Sequence, residues 1–342
     1  MKKFLLKTFI FGAIFLFLLI IKKHVLPYYT GDATFMTKLE DFDSKSKKFN
    51  TVFFGSSRIH RHVNTTLLDS ILNDYNISSY NLSVAGTYNP ESYYLYENFI
   101  DNKTNGEIKL AFVELQALYQ YSENNYETTK GSYWNTEKYL DYSLNYIENS
   151  NYTEEQKKEM SDSYFKSYLY GYYDFSIFSN ITKVALNLTK VSKNGFDPLE
   201  SKMSKGNSAL MKRWNDFRAD TSALNDRIKA TLTPIAESKE NTYHLNFLKN
   251  LINKSKAKGI QLIYILPPRL TLEHYKELVP ICNKLPSNNI IKLNDYNKYR
   301  ELYEVKYSFD IGHLNNEGAN IFTTYLAEEI TSKIHSSETV SN

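Results

Sequence analysis

What most narrows the fold of this chain is an alternation of short apolar runs with amphipathic stretches, beginning at about Asn50. Thr51-Val52-Phe53-Phe54 stops at Gly55, and a short apolar run without polar alternation is how a parallel strand buried on both faces reads. Thr65 to Asn73 follows with Leu67, Leu68, Ile71 and Leu72 at helical spacing. Tyr80 to Val84 reads as a second strand ending at Ala85-Gly86. Asn89-Pro90-Glu91 opens a helix to about Ile100, with Pro in the first turn, and Ile108 to Leu115 reads as a third strand. Three strands and two crossovers within about 65 residues predict a parallel sheet covered by helices, an α/β fold.

The rhythm breaks between about 119 and 241 and then returns. That centre is polar, dense in tyrosine and expected to be mostly helical, with Tyr164, Tyr168, Tyr170, Tyr172 and Tyr173 crowded together. It reads either as a helical insertion packing on the sheet's rim or as a cap that lines a groove with aromatic rings. Lys202 to Lys205 looks like a mobile connection within it. Afterwards Tyr243 to Ala257 is an amphipathic helix, and Ile260 to Leu266 is a strand stopped by Pro267-Pro268. Thr271 to Leu285 reads as helix, Ile290 to Leu293 as strand and about Asn316 to Ile334 as the final helix, leaving 336–342 as a disordered tail.

The N-terminus has a different character. Thr8 to Ile21 carries no charge, and the apolar stretch extends back to Phe4 if Lys7 snorkels, giving a transmembrane segment over 4–21. Eighteen helical residues reach about 27 Å, enough for a bilayer core. Met1-Lys2-Lys3 resembles the basic start of a secretory signal, but Lys22-Lys23-His24 and Leu26-Pro27 follow with no small-x-small cleavage site. The expectation is an uncleaved signal anchor, N-terminus inside and the bulk of the chain outside, with a juxtamembrane linker over 22–49. A buried helix of a soluble protein is the alternative; it is disfavoured because the stretch is apolar all round.

Composition excludes several classes. With 41 Lys+Arg against 38 Asp+Glu the formal charge is +3, which leaves no concentrated basic surface, and no nucleic-acid partner is expected. A single cysteine, Cys282, rules out an intramolecular disulfide framework and any zinc site built on several thiolates. No cofactor or metal is expected.

In an open α/β sheet ligands bind beyond the carboxyl ends of the strands. Those ends carry Gly55-Ser56-Ser57-Arg58, Ala85-Gly86 and Glu114-Leu115-Gln116, and Asp310-Ile311-Gly312-His313 precedes the last helix. This is a parts list for acyl transfer: a hydroxyl nucleophile, a base, an orienting carboxylate and backbone donors beside glycine. Serine becomes a useful nucleophile when an imidazole takes its proton, and the imidazole needs a carboxylate on its other nitrogen. Asp310, three residues before His313 on a tight turn, can supply that contact. The N–H groups of Ser57 and Gly86 can face a developing oxyanion, with Gln116 as a side-chain donor. The bland alternatives are a capping Ser57, a helix-capping Asp310, a satisfied turn His313 and a turn Gly86. Arg58, His60, Arg61 and His62 form a basic cluster that is either a solvated helix face or, through Arg58, a contact for an anionic substrate group. Asn315 and Glu317 read as cap and first-turn residues.

Phe54-Gly55-Ser56-Ser57, Gly86 and Asp310-x-x-His313 resemble the blocks of the SGNH (GDSL-type) hydrolases. The resemblance places the nucleophile on Ser57, with Ser56 where that family has Asp. The third block departs: Gly-x-Asn-Asp is expected after strand three, and Glu114-Leu115-Gln116-Ala117 stands there. The resemblance spans about Asn50 to Leu118 and Tyr243 to Ile334. It implies a flavodoxin-like three-layer sandwich over 50–335 with the Tyr-rich insertion between its halves.

With its single anchor, the chain is similar to envelope proteins that assist membrane-bound O-acyltransferases. That likeness implies acyl-ester transfer or hydrolysis on a cell-envelope glycan or acylated polymer outside a bacterial membrane, with O-acetyl as the implied acyl group. A multi-span membrane-bound O-acyltransferase is the implied partner, and the Tyr-rich insertion is the implied polymer-facing element. Two other readings stay open: a simple anchored esterase, and a catalytically inactive SGNH-fold binding or assembly protein of an acylation system.

Overall fold

The computed structural model describes residues 1–342 except 103–105, 119–126, 187, 204–205, 236–239 and 340–342. It divides into two compact units: Met1–Met36 with Gln120–Thr189, and Thr37–Tyr119 with Lys190–Asn342. The second unit holds five strands, β1 (Thr51–Phe54), β2 (Ser79–Asn81), β3 (Leu110–Glu114), β4 (Gln261–Leu266) and β5 (Ile290–Lys292). They form one all-parallel sheet in the order β2-β1-β3-β4-β5. The order reverses between β1 and β3, so the crevice beyond their carboxyl ends is the position such a sheet offers to a ligand.

The strands read as continuous apolar runs because both faces are covered. On one face Phe53 stacks on Phe112 at 4.7 Å. Ile263, Ile265 and Ile291 join them under Ile59 of α3 (Ser57–His62), Leu68 of α4 (Thr65–Ile71) and Phe322 and Leu326 of the C-terminal helix (Asn316–Thr339). On the other face the Phe54 ring meets Tyr96 and Phe99 of α5 (Glu91–Asn102) at 5.4 and 5.3 Å. There the Tyr264 hydroxyl donates to the Leu248 carbonyl of the Thr242–Ala257 helix at 3.1 Å. Buried rings of this size each contribute several kcal/mol, about 3–5 when truncated to Ala.

The expected linker over 22–49 is not extended. Ala33–Asp43 is a helix and Ser46–Lys48 a helical turn; Phe35, Leu39 and Phe42 recur at helical spacing and are buried, which orders the segment. The expected insertion also differs from the structural division, which separates Gln120–Thr189 from Lys190 onward. The start of that insertion at 119, and 204–205 of the expected Lys202–Lys205 connection, lie outside the described residues; Lys202 itself is in a helix, Leu199–Met203. The C-terminal helix continues to Thr339, into the stretch read as a tail, of which 340–342 lie outside the description.

The first unit is helical. Its first element is Lys2–Val25, whose Lys2–Lys22 portion is the one helix among the described residues long and apolar enough to cross a membrane. Helices Glu137–Glu148 and Glu154–Tyr173 pack on each other. The second of them starts at a capping box, Thr153 taking the Gln156 N–H while the Gln156 side chain takes the Thr153 N–H. Trp134, Tyr139, Tyr142, Tyr146 and Tyr164 are fully buried. Four tyrosines of the Tyr-rich stretch are therefore core of this unit.

Candidate active site

All of the candidate residues belong to the α/β unit. β1 ends against the end of β3, where a Cβ on Gly55 would fall 2.7 Å from Glu114 Cβ and 2.8 Å from Ile59 Cγ1, so the close approach requires glycine. The next two residues turn the chain into α3. Ser56 caps it, its Oγ accepting the Arg58 N–H at 3.2 Å, and its own N–H donates to Glu114 Oε2 at 2.6 Å. Glu114 is fully buried and also sits 3.5 Å from Arg58 Nη1. An acid closing a buried strand thus pins the turn and faces the arginine beside Ser57. Ser57, the first residue of α3, is left with its Oγ 2.7 Å from Nε2 of His313, 256 residues away.

The histidine stands on a turn that Asp310 organises. Asp310 Oδ1 accepts the N–H groups of Gly312 at 2.7 Å and His313 at 2.9 Å, and lies 2.9 Å from His313 Nδ1; Oδ2 is 3.1 Å from the same nitrogen. An ionised carboxylate can only accept, so the proton belongs on Nδ1 and Nε2 accepts from the Ser57 hydroxyl. Arg269, fully buried at φ +61°, braces the turn from behind. Its guanidinium donates to the carbonyls of Asp310 (3.3 Å) and His313 (3.4 Å), to Ser308 Oγ (2.6 Å) and to the Leu302 carbonyl. His62, also buried, accepts the Leu314 N–H through Nε2 at 3.0 Å, and its ring lies edge-on to His313 at 6.0 Å. Asn315 caps the helix that follows, accepting the Gly318 N–H at 2.8 Å.

Electrostatics favour the neutral base. Burial lowers the His313 pKa; Asp310 pulls it upward, and the charges of Arg213 and Arg58 push it down again, with a net shift below the ordinary value of 6.5. Burial alone would raise Asp310, but the His313 hydrogen bond, the imidazole and Arg213 outweigh it and hold the carboxyl below its usual range. Arg213, on the exposed side of the Ser208–Ala219 helix, places Nη2 2.5 Å from Asp310 Oδ2 and 2.9 Å from His313 Nδ1. Two donors facing each other do not bond, so with Nδ1 protonated its partner is the carboxylate. Arg213 and Arg269 carry no signal in the sequence beyond the charged residue that Arg269 sets at the end of a buried strand.

The oxyanion donors fare differently. Among the described residues neither the Ser57 N–H nor the Gly86 N–H has a hydrogen-bond partner, and Gly86 adopts φ +73°. Gln116 is buried elsewhere in its bonding: Oε1 accepts from Ser92 Oγ at 2.5 Å and Nε2 donates to the Thr87 carbonyl at 3.3 Å. No described contact joins it to Ser57. Arg58 is partly exposed, and its Nε is without a partner.

The remaining basic cluster is no solvated face, because His60, Arg61 and His62 are all buried. His60 Nδ1 accepts from Lys38 Nζ at 2.8 Å, and Arg61 pairs with Asp197 at 2.6 Å. Lys38 also donates to the carbonyls of Asn81, Ser83 and Gly195. This polar network ties α3 to its surroundings. Among the described residues no group of three or more His, Cys, Asp or Glu side chains is arranged to hold a metal ion.

Comparison of the chain with protein-family models, with curated proteins and with solved structures finds no match.

Proposed function

We propose that the chain is a serine acyl-ester enzyme of SGNH type, with Ser57 as nucleophile, His313 as base and then acid, and Asp310 as the orienting carboxylate. The observation that carries this reading is the relay from Ser57 Oγ to His313 Nε2 at 2.7 Å and from His313 Nδ1 to Asp310 at 2.9 Å. In the first step Oγ attacks the ester carbonyl as its proton passes to Nε2, and the oxyanion faces the N–H groups of Ser57 and Gly86. Collapse expels the alcohol, which takes the proton from Nε2 and leaves an acyl-serine. Water or a sugar hydroxyl then attacks, gives its proton to Nε2 and releases Ser57.

The substrate in this reading is an acylated cell-envelope glycan, with O-acetyl as the acyl group. The catalytic unit lies outside the membrane, anchored by Lys2–Val25 and working beside a membrane-bound O-acyltransferase. Support comes from the order of motifs along the chain and from an apolar N-terminal helix of spanning length. Arg58, one residue beyond the nucleophile with an unpartnered Nε, is the contact for an anionic or polar substrate group.

A serine-directed fluorophosphonate probe tests the nucleophile. The wild-type chain is labelled and Ser57→Ala is not; labelling that survives in Ser57→Ala, or fails in the wild type, removes the assignment. A second reading, a non-catalytic assembly protein that keeps the fold, draws on the engagement of Gln116 by Ser92 and Thr87. It requires a wild-type chain that the probe leaves unlabelled.

A further inference from the structure

The helical unit carries an apolar surface next to its N-terminal helix. The helix Glu154–Tyr173 changes character along its axis: it begins Glu-Glu-Gln-Lys-Lys-Glu and ends Tyr-Leu-Tyr-Gly-Tyr-Tyr. Near its end Phe165, Leu169 and Tyr173, spaced by four residues on one face, are 40–59% exposed. The chain then turns through Phe175 into Ile177–Ala185, whose apolar residues fall on one side and leave Phe178 exposed, stacked at 6.4 Å on Phe175. Leu186 continues the exposed surface.

This surface is continuous with that of the spanning helix. Phe15 meets Phe175 at a ring distance of 6.3 Å. Lys22, the last residue of the apolar span, donates to the Tyr172 carbonyl at 3.1 Å and to the Asp174 carbonyl. Lys22 marks the level of the membrane–water boundary, since a lysine at the end of a span sits there. Phe15 lies seven residues deeper, about 10 Å at 1.5 Å per residue. The Phe175 ring lies between these levels, 5.0 Å from Lys22 Nζ and 6.3 Å from the Phe15 ring, at the shallow end of the 5–10 Å to which an interfacial helix buries its apolar face. Tyr172, whose carbonyl takes the Lys22 ammonium, and its neighbour Tyr173 end the helix at the Lys22 level, where interfacial aromatic residues sit.

We infer that the face formed by Phe165, Leu169, Tyr173, Phe175, Phe178 and Leu186 docks into the lipid surface alongside the N-terminal helix. The occupant is the boundary of headgroups and acyl chains, and the Tyr-rich segment is in this part a membrane-seating element rather than a polymer-facing one. The inference rests on the spanning role of Lys2–Val25 and is independent of the ester chemistry.

The test uses the full chain in phosphatidylcholine–phosphatidylglycerol vesicles, in a Cys282→Ser background. An environment-sensitive fluorophore is attached singly at Phe178→Cys, Leu186→Cys, Glu155→Cys or Phe9→Cys. Glu155 is exposed at the far end of the helix that closes at Tyr173, about 27 Å away by helical rise. The expected result is blue-shifted emission at positions 178 and 186, quenching by doxyl lipid and loss of quenching by aqueous iodide, with position 155 behaving as in water. If 178 and 186 match 155 while position 9 is quenched by doxyl lipid, the docking is overturned and the anchor stands. Protection from iodide without doxyl quenching assigns the face to protein, a second copy or a partner, and also overturns it. An unquenched position 9 overturns anchor and docking together.

Discussion

The two units place polarity in opposite ways. The α/β unit buries it: His60, His62, Glu114, Arg269 and Asp310 lie inside, held by backbone groups and by one another. The helical unit buries a tyrosine and tryptophan core and turns Phe165, Phe175, Phe178 and Leu186 outward. Buried polar groups are costly unless satisfied, so a unit that keeps them has specified their geometry. Outward apolar rings are costly in water unless something covers them. On the readings proposed above, the contrast separates a unit organised to hold reacting groups from one organised to meet an apolar phase.

Changes at the Asp310–His313 turn should affect the α/β unit alone. Asp310→Asn keeps the shape but removes the charge that holds the proton on His313 Nδ1. We expect turnover of an activated ester to fall by about 10⁴-fold, the loss typical of that exchange in a serine triad. A much smaller loss would mean that the buried carboxylate serves the fold rather than the base. Arg269→Leu leaves the carbonyls of Leu302, Asp310 and His313 without their donor, and urea unfolding should show a loss of about 3 kcal/mol. Restoration by Arg269→Lys of stability but not of turnover would separate bracing of the turn from simple packing.

Acid tests the buried polarity as a whole. Burial, the largest cause at each, lowers His60, His62, His244 and His274 from 6.5, with His244 reaching about 3 and His274 about 4, where Arg58 and Arg227 add to the effect. Below pH 6.5 the unfolded chain binds protons that the folded chain refuses, so stability is full above 6.5 and is lost as pH falls toward these lowered values. The slope is at most about 1.4 kcal/mol per pH unit for each histidine. The midpoint of urea unfolding, followed from pH 7 to 5, should fall steeply; a flat profile would break the contrast. The smallest effect is expected at Arg213→Ala. Removing that exposed charge relieves the depression of His313, which must be neutral to act, so the acidic limb of kcat/KM should move to higher pH. A shift to lower pH would show that Arg213 supports the base instead of opposing it.

Much of the α/β unit was legible in the sequence because a strand buried on both faces has to be apolar throughout. Thr51–Phe54, Gln261–Leu266 and Ile290–Lys292 lie within a residue or two of their expected bounds. The second strand differs at its bounds: Tyr80 to Val84 was expected and Ser79–Asn81 observed, although the N–H groups of Leu82 and Val84 still donate to the Phe53 and Gly55 carbonyls at 2.9 and 3.1 Å. Ser57, Asp310 and His313 stood out because a short local motif carries each of them. Glu114 was visible as a strand end without a role, and Arg213 had no local mark at all. Such residues act through partners that only the folded chain supplies. The span 119–241 read as one insertion because it is polar and helical in pattern throughout; contacts divide it at Thr189, and the tyrosines of the span all lie before that residue, so the composition changes where the contacts do.

By itself, then, the sequence determined an α/β sheet with a long helical interruption, an apolar N-terminal helix and three residues fit for a relay. Hydrophobic periodicity and turn chemistry are local properties, and those features depend on little else. The tertiary structure decided the strand order β2-β1-β3-β4-β5, the meeting of Ser57 with a histidine 256 residues away and the bracing of that histidine by Arg269. It also decided which tyrosines became core and which aromatic rings were left facing outward beside the N-terminal helix. Those outcomes depend on which distant segments share one interior, and no local pattern encodes that.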